Sequence, residues 1–298
     1  RQRRPQLLDQ SQSAIEFNNA IHPCVSDISS YIANSIHLGS FEGETPSPRT
    51  MILTGPNMAG KSTLLRQTAV NVILAQIGCY PFAESTRLVP LHSIQSRLGA
   101  SDHLLLGEST FAVECNETSR ILETANKRTL VLMDELGRGT STSEGFALSA
   151  AVLEYCTRKI SPLLLYSTHF QEQAELASKE PTLFAAYKMG YKIFKEKGLV
   201  FTYQLIPGVS QFSFGINAAR HAGIDKKMLT YAQKLVDQSY EDEEAQKMVD
   251  DDPQEEMDDR LSDPEAYKKA SLLLTQGLHH ASLDRLMDLY THIKNTYC

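Results

Sequence analysis

Met51-Ile52-Leu53-Thr54-Gly55-Pro56-Asn57-Met58-Ala59-Gly60-Lys61-Ser62-Thr63 is the stretch on which the reading of this chain turns. Met51-Ile52-Leu53 is a short apolar strand, and Gly55 to Ser62 satisfies G-x-x-x-x-G-K-S. From Ser62 to Ile77, Leu64, Leu65, Ala69, Val72, Ile73 and Gln76 keep helical spacing. Strand, glycine-rich loop and helix in that order make a cradle for phosphate, because the loop's N–H groups face the anion at the positive end of the helix. In such a cradle Lys61 reaches the β- and γ-phosphates and the Ser62 hydroxyl ligates Mg²⁺.

Outward from this stretch the pattern repeats. Leu130-Val131-Leu132-Met133 and Leu163-Leu164-Leu165-Tyr166 are two more wholly apolar strands, with a helical stretch from Glu144 to Lys159 between them. Apolar strands alternating with helices predict an α/β fold whose mostly parallel central sheet is covered on both faces. Residues up to about Pro48 read as short strands and loops. Met189 to Phe194 and Leu199 to Leu205 alternate around Glu196-Lys197-Gly198, as a hairpin does. Helical patterning returns from Asp225 to Tyr240. Asp263-Pro264 then starts a helix that Gly277 ends, and Ser282 caps another whose Leu283, Leu286, Leu289, Tyr290 and Ile293 share a face. A C-terminal helical hairpin is therefore expected over 263–298, and the reading divides the chain at 1–240, 241–262 and 263–298.

The 298 residues are 42% hydrophobic and 22% charged, an ordinary globular mixture. No apolar run approaches the ~20 residues of a membrane-spanning helix, so no membrane partner is expected. Arg1 to Pro5 carries positive charge with no apolar stretch behind it, unlike a secretory signal. Five dispersed cysteines, with no Cys-x-x-Cys, fit reduced thiols in a cytosolic or nuclear compartment. The net charge of −7 is unevenly spread: between Glu241 and Glu265, thirteen acidic residues against Lys247 and Arg260 give −11, leaving +4 elsewhere from 27 basic and 23 acidic residues. The acidic run reads as a solvated linker, and the mildly basic remainder neither demands nor forbids DNA.

The second strand delivers Asp134-Glu135 to its C-terminal edge, where the Asp would hold Mg²⁺ and Glu135 would polarise the attacking water. The third ends in Ser167-Thr168-His169. An imidazole there can bond the γ-phosphate and register its loss, or His169 is simply a surface residue. Gly107-Glu108-Ser109-Thr110-Phe111 precedes a helix and offers a hydroxyl pair with free amides. Leu136 to Thr142 follows the second strand and is polar and glycine-rich. Taken singly, both segments are as readily an ordinary cap or turn.

Together, TGPNMAGKST (54–63), GESTF (107–111), DELGRGTST (134–142) and STHF (167–170) resemble the ATPase domain of the MutS DNA mismatch-repair proteins. The likeness runs from about His22 to Tyr240 and takes in AQIGCYPFAES (75–85) and RLGASD (97–102). GESTFAVE, RLGASD and GINAAR most resemble the large mismatch-reading subunit of the eukaryotic heterodimers. Ala59 departs from the family's usual Gly, and a small residue there should still permit the loop. Nothing in the family accounts for the acidic run.

The resemblance implies an ABC-type P-loop ATPase that uses ATP and Mg²⁺, in which each nucleotide is sandwiched between the P-loop of one subunit and the signature segment of another. Ser109 and Thr110 would then act in trans, with 136–142 at the interface. It also implies that Tyr31, Ile32, Ala33 and Asn34 border the adenine, although Tyr31 is as well read as a core aromatic. The C-terminal hairpin would pair subunits. Implied partners are another MutS-homologue subunit, a MutL-type protein and duplex DNA, the last through regions for which 298 residues leave no room, and the implied location is the nucleus. A MutS homologue of meiotic recombination shares these motifs. A membrane transporter's nucleotide-binding subunit would carry LSGGQ where this chain has GESTF.

Overall fold

A computed structural model describes residues 3–24, 30–99, 110–194, 198–210, 216, 219–220 and 223–236. The acidic run, the expected hairpin over 263–298, and Gly107, Glu108 and Ser109 lie outside the described residues. Residues 1–230 form one compact unit and 231–298 a second, of which the helical residues 231–236 are described.

In chain order the elements of the first unit are β1 (Gln6–Leu7), β2 (Ile15–Ala20), β3 (Asn34–Leu38), β4 (Thr50–Thr54), α1 (Lys61–Gln76), β5 (Ser85–Leu88), β6 (Ser93–Arg97), α2 (Thr110–Thr124), β7 (Thr129–Asp134), α3 (Thr142–Tyr155), β8 (Leu163–Ser167), α4 (Gln171–Ala174), α5 (Leu176–Lys179), β9 (Phe184–Phe194) and β10 (Gly198–Pro207). Six of the strands form a sheet in the order β10-β9-β4-β8-β7-β6. From β9 to β6 neighbours run parallel, and β10 turns back antiparallel on β9 as the outer arm of the expected hairpin. The fold is α/β with a mostly parallel, helix-flanked sheet, as expected.

The apolar centres of β4, β7 and β8 follow from burial on both faces. Met51 and Leu53 of β4, Leu130 and Leu132 of β7, and Leu163 and Leu165 of β8 enter one core with Leu64, Leu65 and Val72 of α1. Their alternates Ile52, Val131, Met133, Leu164 and Tyr166 enter another with Ile121 of α2 and Val152 and Leu153 of α3. Beyond α1, the early strands form a second sheet in the order β1-β5-β2-β3, whose Ile15, Phe17, Leu38 and Leu88 close the first core.

One expectation about α1 is corrected. Ile73, placed by its spacing on the apolar face, is 47% exposed, while Gln67 and Asn71 are fully buried. Their amides explain it: Gln67 Nε2 donates to the Ala20 carbonyl at 3.0 Å, Asn71 Nδ2 to that of Ile21 at 3.0 Å, and Asn71 Oδ1 accepts the Phe82 N–H at 2.7 Å. These bonds satisfy backbone groups at the end of β2 and ahead of β5, so the buried face of α1 is rotated toward polar side chains. Among the described residues Cys24, Cys79, Cys115 and Cys156 are free thiols, and no helix is long and apolar enough to cross a membrane.

Candidate nucleotide-binding site

Parallel pairing brings the carboxyl ends of three strands level. Leu53 and Asp134 both stand opposite Ser167, and Arg97 opposite Met133. The loop after β4, the Asp134-Glu135 pair and the Ser167-Thr168-His169 segment therefore meet at one sheet edge, where open α/β sheets take their ligands.

The loop needs its glycines at particular places. Gly55 has φ 138° and Gly60 φ 100°, conformations that L residues rarely adopt. A Cβ at Gly55 would also press on Met189 of β9, 3.2 Å from its Cβ. Pro56 and Asn57 carry the loop outward to Met58, which is 82% exposed at φ 67°. Ala59 is buried and lies outside the left-handed region, so a methyl is accommodated there. Gly60 then caps α1, a helix of 16 residues whose first turn presents free N–H groups to the loop. Lys61 is only 5% exposed; its Nζ donates to the Gly55 and Pro56 carbonyls at 2.7 and 3.2 Å and pairs with Glu135 Oε1 at 3.2 Å.

At the end of β7 the chain turns sharply. Glu135 has φ 52°, and its N–H donates to the Ser167 carbonyl at 2.9 Å. This left-handed step sends two adjacent carboxylates in different directions. Asp134 Oδ2 accepts from the Ser62 hydroxyl and Oδ1 from that of Ser167, each at 2.5 Å. Glu135 points to Lys61 and to Arg138 Nη1, 2.7 Å from Oε2. Burial pushes the Glu135 pKa up, but Lys61, Arg138 and His169 outweigh it, and the carboxyl lies below its usual range. His169 is exposed at one edge; the protein beneath its ring, with Arg138 and Lys61, lowers its pKa against the opposing pull of Glu135.

The donor set fits a magnesium triphosphate. A buried ammonium and a helix N-terminus suit the phosphates. The Ser62 hydroxyl and Asp134 carboxylate are hard oxygen donors, and no cluster of three His, Cys, Asp or Glu competes for a softer metal among the described residues.

Beside the loop lies a cavity of about 310 Å³ lined by Tyr31, Ile32, Asn34, Met58, Gly60, Thr63, Met189 and Tyr203, among others. Tyr31 is held by a hydrogen bond from its hydroxyl to Gln67 Oε1 at 2.8 Å. Asn34 spends its amide on the backbone: Nδ2 donates to the Tyr203 carbonyl at 2.9 Å and Oδ1 accepts the Leu205 N–H at 2.7 Å. It therefore shapes the irregular stretch of β10 that carries Tyr203. Ala33 is not among the lining residues. Tyr203, 46% exposed at φ 55°, escaped the sequence reading because an aromatic in a hairpin strand reads first as packing.

Residues 51–239 match the family model for MutS domain V. The chain belongs to the MutS family. Among its relatives, the DNA mismatch repair protein Msh3 of Dictyostelium discoideum is 39% identical over 246 residues, 78% of this chain and 17% of the relative. Msh6 of Gallus gallus is 40% identical over 242 residues, 76% of this chain and 18% of the relative. The bacterial MutS of Caldanaerobacter subterraneus is 37% identical over 219 residues, 72% and 24% of the two chains. The chain thus spans about a fifth of the length of the curated relatives it matches. Msh3 and Msh6 match almost equally, so identity does not separate those two.

Of the residues that the MutS resemblance singled out, the P-loop, Asp134, Glu135 and His169 meet at this edge. Thr110, the first residue of α2, is exposed, and Ser109 lies outside the described residues. Arg97 and Glu114, buried charges beneath the Asp134-Glu135 turn, lie in the family-like stretches RLGASD and GESTFAVE, but the sequence reading gave neither a role of its own.

Proposed function

We propose that this chain is the ATPase domain of a MutS homologue, binding Mg·ATP at the β4-β7-β8 edge and hydrolysing it to ADP and phosphate. The observation that carries this reading is the convergence on one edge of Lys61, the Ser62-Asp134 pair and Glu135. Gly55 to Thr63 hold the phosphates through backbone N–H groups and Lys61, and the cavity beside Tyr31, Ile32 and Tyr203 takes the adenine. Ser62 and Asp134 would hold Mg²⁺, which would supply positive charge to the phosphates. Glu135 orients the water that attacks the γ-phosphoryl group, and His169 bonds to that group. Lys61 must leave the Gly55 and Pro56 carbonyls and Glu135 Oε1 to meet phosphate, which frees that oxygen for water while Arg138 holds the other.

The site is completed by Ser109 and Thr110 of a second MutS-homologue subunit, most simply in a heterodimer. In the whole protein, ATP turnover drives mismatch recognition and clamp switching on duplex DNA, with a MutL-type protein downstream, in the nucleus.

Specific activity against protein concentration tests the two-subunit site: it should rise with concentration, and less steeply after removal of residues 263–298. Mixing a Lys61→Ala chain with a Ser109→Ala chain should then restore activity, because in the mixed dimer one site carries both lesions and the other neither. Activity flat with concentration and unrescued by mixing would sink the reading.

A further inference from the structure

Arg97 closes β6 beneath the Asp134-Glu135 turn. Its side chain is 7% exposed and divides between two acceptors: Nη1 donates to the Asp134 backbone carbonyl at 2.7 Å, and Nη2 pairs with Glu114 Oε2 at 3.0 Å. The other Glu114 oxygen accepts the Gly137 N–H at 2.5 Å. Glu114 lies one turn into α2. Phe111, in the first turn, packs on the same loop, since a Cβ built on Gly139 would stand 3.1 Å from Phe111 Cβ. One ion pair thus joins the strand end that carries Asp134, the loop after it, and the head of α2.

Stability alone is a poor reason for such a pair, because two apolar residues of similar volume usually serve a core as well or better. What a guanidinium adds is a rigid planar fork that spans acceptors on separate elements. Among the described residues the Arg97 Nε–H is buried without a partner, so the two acceptors bonded by the Nη atoms set the side chain's place. Glu114 is likewise divided, one oxygen to Arg97 and one to the Gly137 amide, so that neither α2 nor the loop can shift without breaking a buried charged contact.

Resting on the two-subunit reading above, we propose that Arg97 is a positioning residue: with Glu114 it ties the head of α2, where Thr110 stands, to the strand end bearing Asp134, so that each subunit presents its hydroxyl segment to the nucleotide held by the other. Arg97 then serves the partner's site and leaves its own P-loop able to bind.

The test uses the 298-residue chain and its mixtures. Arg97→Met should bind Mg·ATP within about threefold of the parent and hydrolyse it at least about tenfold more slowly at concentrations where the parent associates. Mixed in equal amounts with Lys61→Ala, it should recover: random pairing makes half the dimers mixed, each with one competent site, so about a quarter of the parent's specific activity returns. Ser109→Ala mixed with Lys61→Ala is the control. Rescue of Ser109→Ala but not of Arg97→Met overturns the proposal and makes Arg97 a support of its own site. Rescue of neither overturns the two-subunit reading, and the proposal falls with it. The double variant Arg97→Met/Glu114→Met removes both charges together, so it keeps the fold if the single variant melts, and it then replaces the single variant in the mixture. Its activity should stay as low as that of Arg97→Met; recovery to the parental rate would mean that the pair only neutralised a buried charge, and would equally overturn the proposal.

Discussion

Lys61 Nζ and Glu135 Oε1 stand 3.2 Å apart, joining the residue that begins α1 to the one that follows β7 at the carboxyl edge of the sheet. Both side chains are largely withdrawn from water, and each has further partners: two loop carbonyls for the ammonium, Arg138 for the carboxylate. The residues assigned to phosphate and to water thus restrain each other, and a substitution at either alters the other's electrostatics.

Lys61→Ala should abolish tight Mg·ATP binding, with a loss of at least about 2 kcal/mol, roughly 30-fold, for one charge-assisted phosphate contact. It also removes the main cation that holds the Glu135 pKa down. Equilibrium titration with a fluorescent nucleotide checks the first effect, and affinity equal to the parent's would refute the P-loop assignment.

Glu135→Gln should still bind ATP but hydrolyse it about 100-fold or more slowly, within the range for loss of a general base. Single-turnover hydrolysis measured alongside binding decides this; a rate within about threefold of the parent means another residue activates the water. The same variant has a pH signature. The folded Glu135 pKa lies below the model-peptide value of 4.5, so its ionised form contributes stability that is present above 4.5 and lost as pH falls through the lower folded value. The Tm difference between parent and variant should therefore hold steady on the neutral side of that window and shrink on acidification beneath it.

Asp134→Asn keeps the shape of the side chain, with its one oxygen accepting from one of the Ser62 and Ser167 hydroxyls and its amide donating to the other, while removing the charge that would hold Mg²⁺. Metal-free nucleotide binding should change little, whereas the enhancement of affinity on adding Mg²⁺ should fall by about tenfold or more, the loss of one charge-assisted contact. Magnesium titrations at fixed nucleotide measure it, and an undiminished enhancement would remove Asp134 from the metal site.

Gly137→Ala should destabilise the fold by about 2–4 kcal/mol, because its φ is +88° and the added Cβ would lie 2.2 Å from the Gly145 carbonyl oxygen, which α3 cannot withdraw without moving. Gly78→Ala, at a similar φ of +84° but with no atom within 4 Å, should cost only the backbone term of about 1–2 kcal/mol. Denaturant melts of the two variants compare the effects; equal losses would mean that the contact between Gly137 and Gly145 yields.

What the sequence determined alone was whatever is contiguous or periodic along the chain. The P-loop is eight consecutive residues between a strand and a helix, so its chemistry is legible where it stands. The centres of β4, β7 and β8, Met51 to Leu53, Leu130 to Met133 and Leu163 to Tyr166, are unbroken apolar runs because both sheet faces are covered, and such a run marks a buried parallel strand before any coordinates exist. Asp134-Glu135 at the end of such a run is placed by the same logic. Tertiary structure alone decided what depends on pairs distant in the chain. Tyr31 and Tyr203 meet across one cavity only because the β9-β10 hairpin folds beside the P-loop. Ile73 and Gln67 exchange the burial that spacing assigns them, since a buried amide is favourable wherever a strand end offers it a carbonyl. Arg97 and Glu114 stand in two separate family-like stretches, RLGASD and GESTFAVE, and nothing along the chain pairs them until β6, α2 and the turn after β7 enclose them. A charge survives burial only when its counter-charge is buried with it, and that partner is set by packing, which no local pattern of residues records.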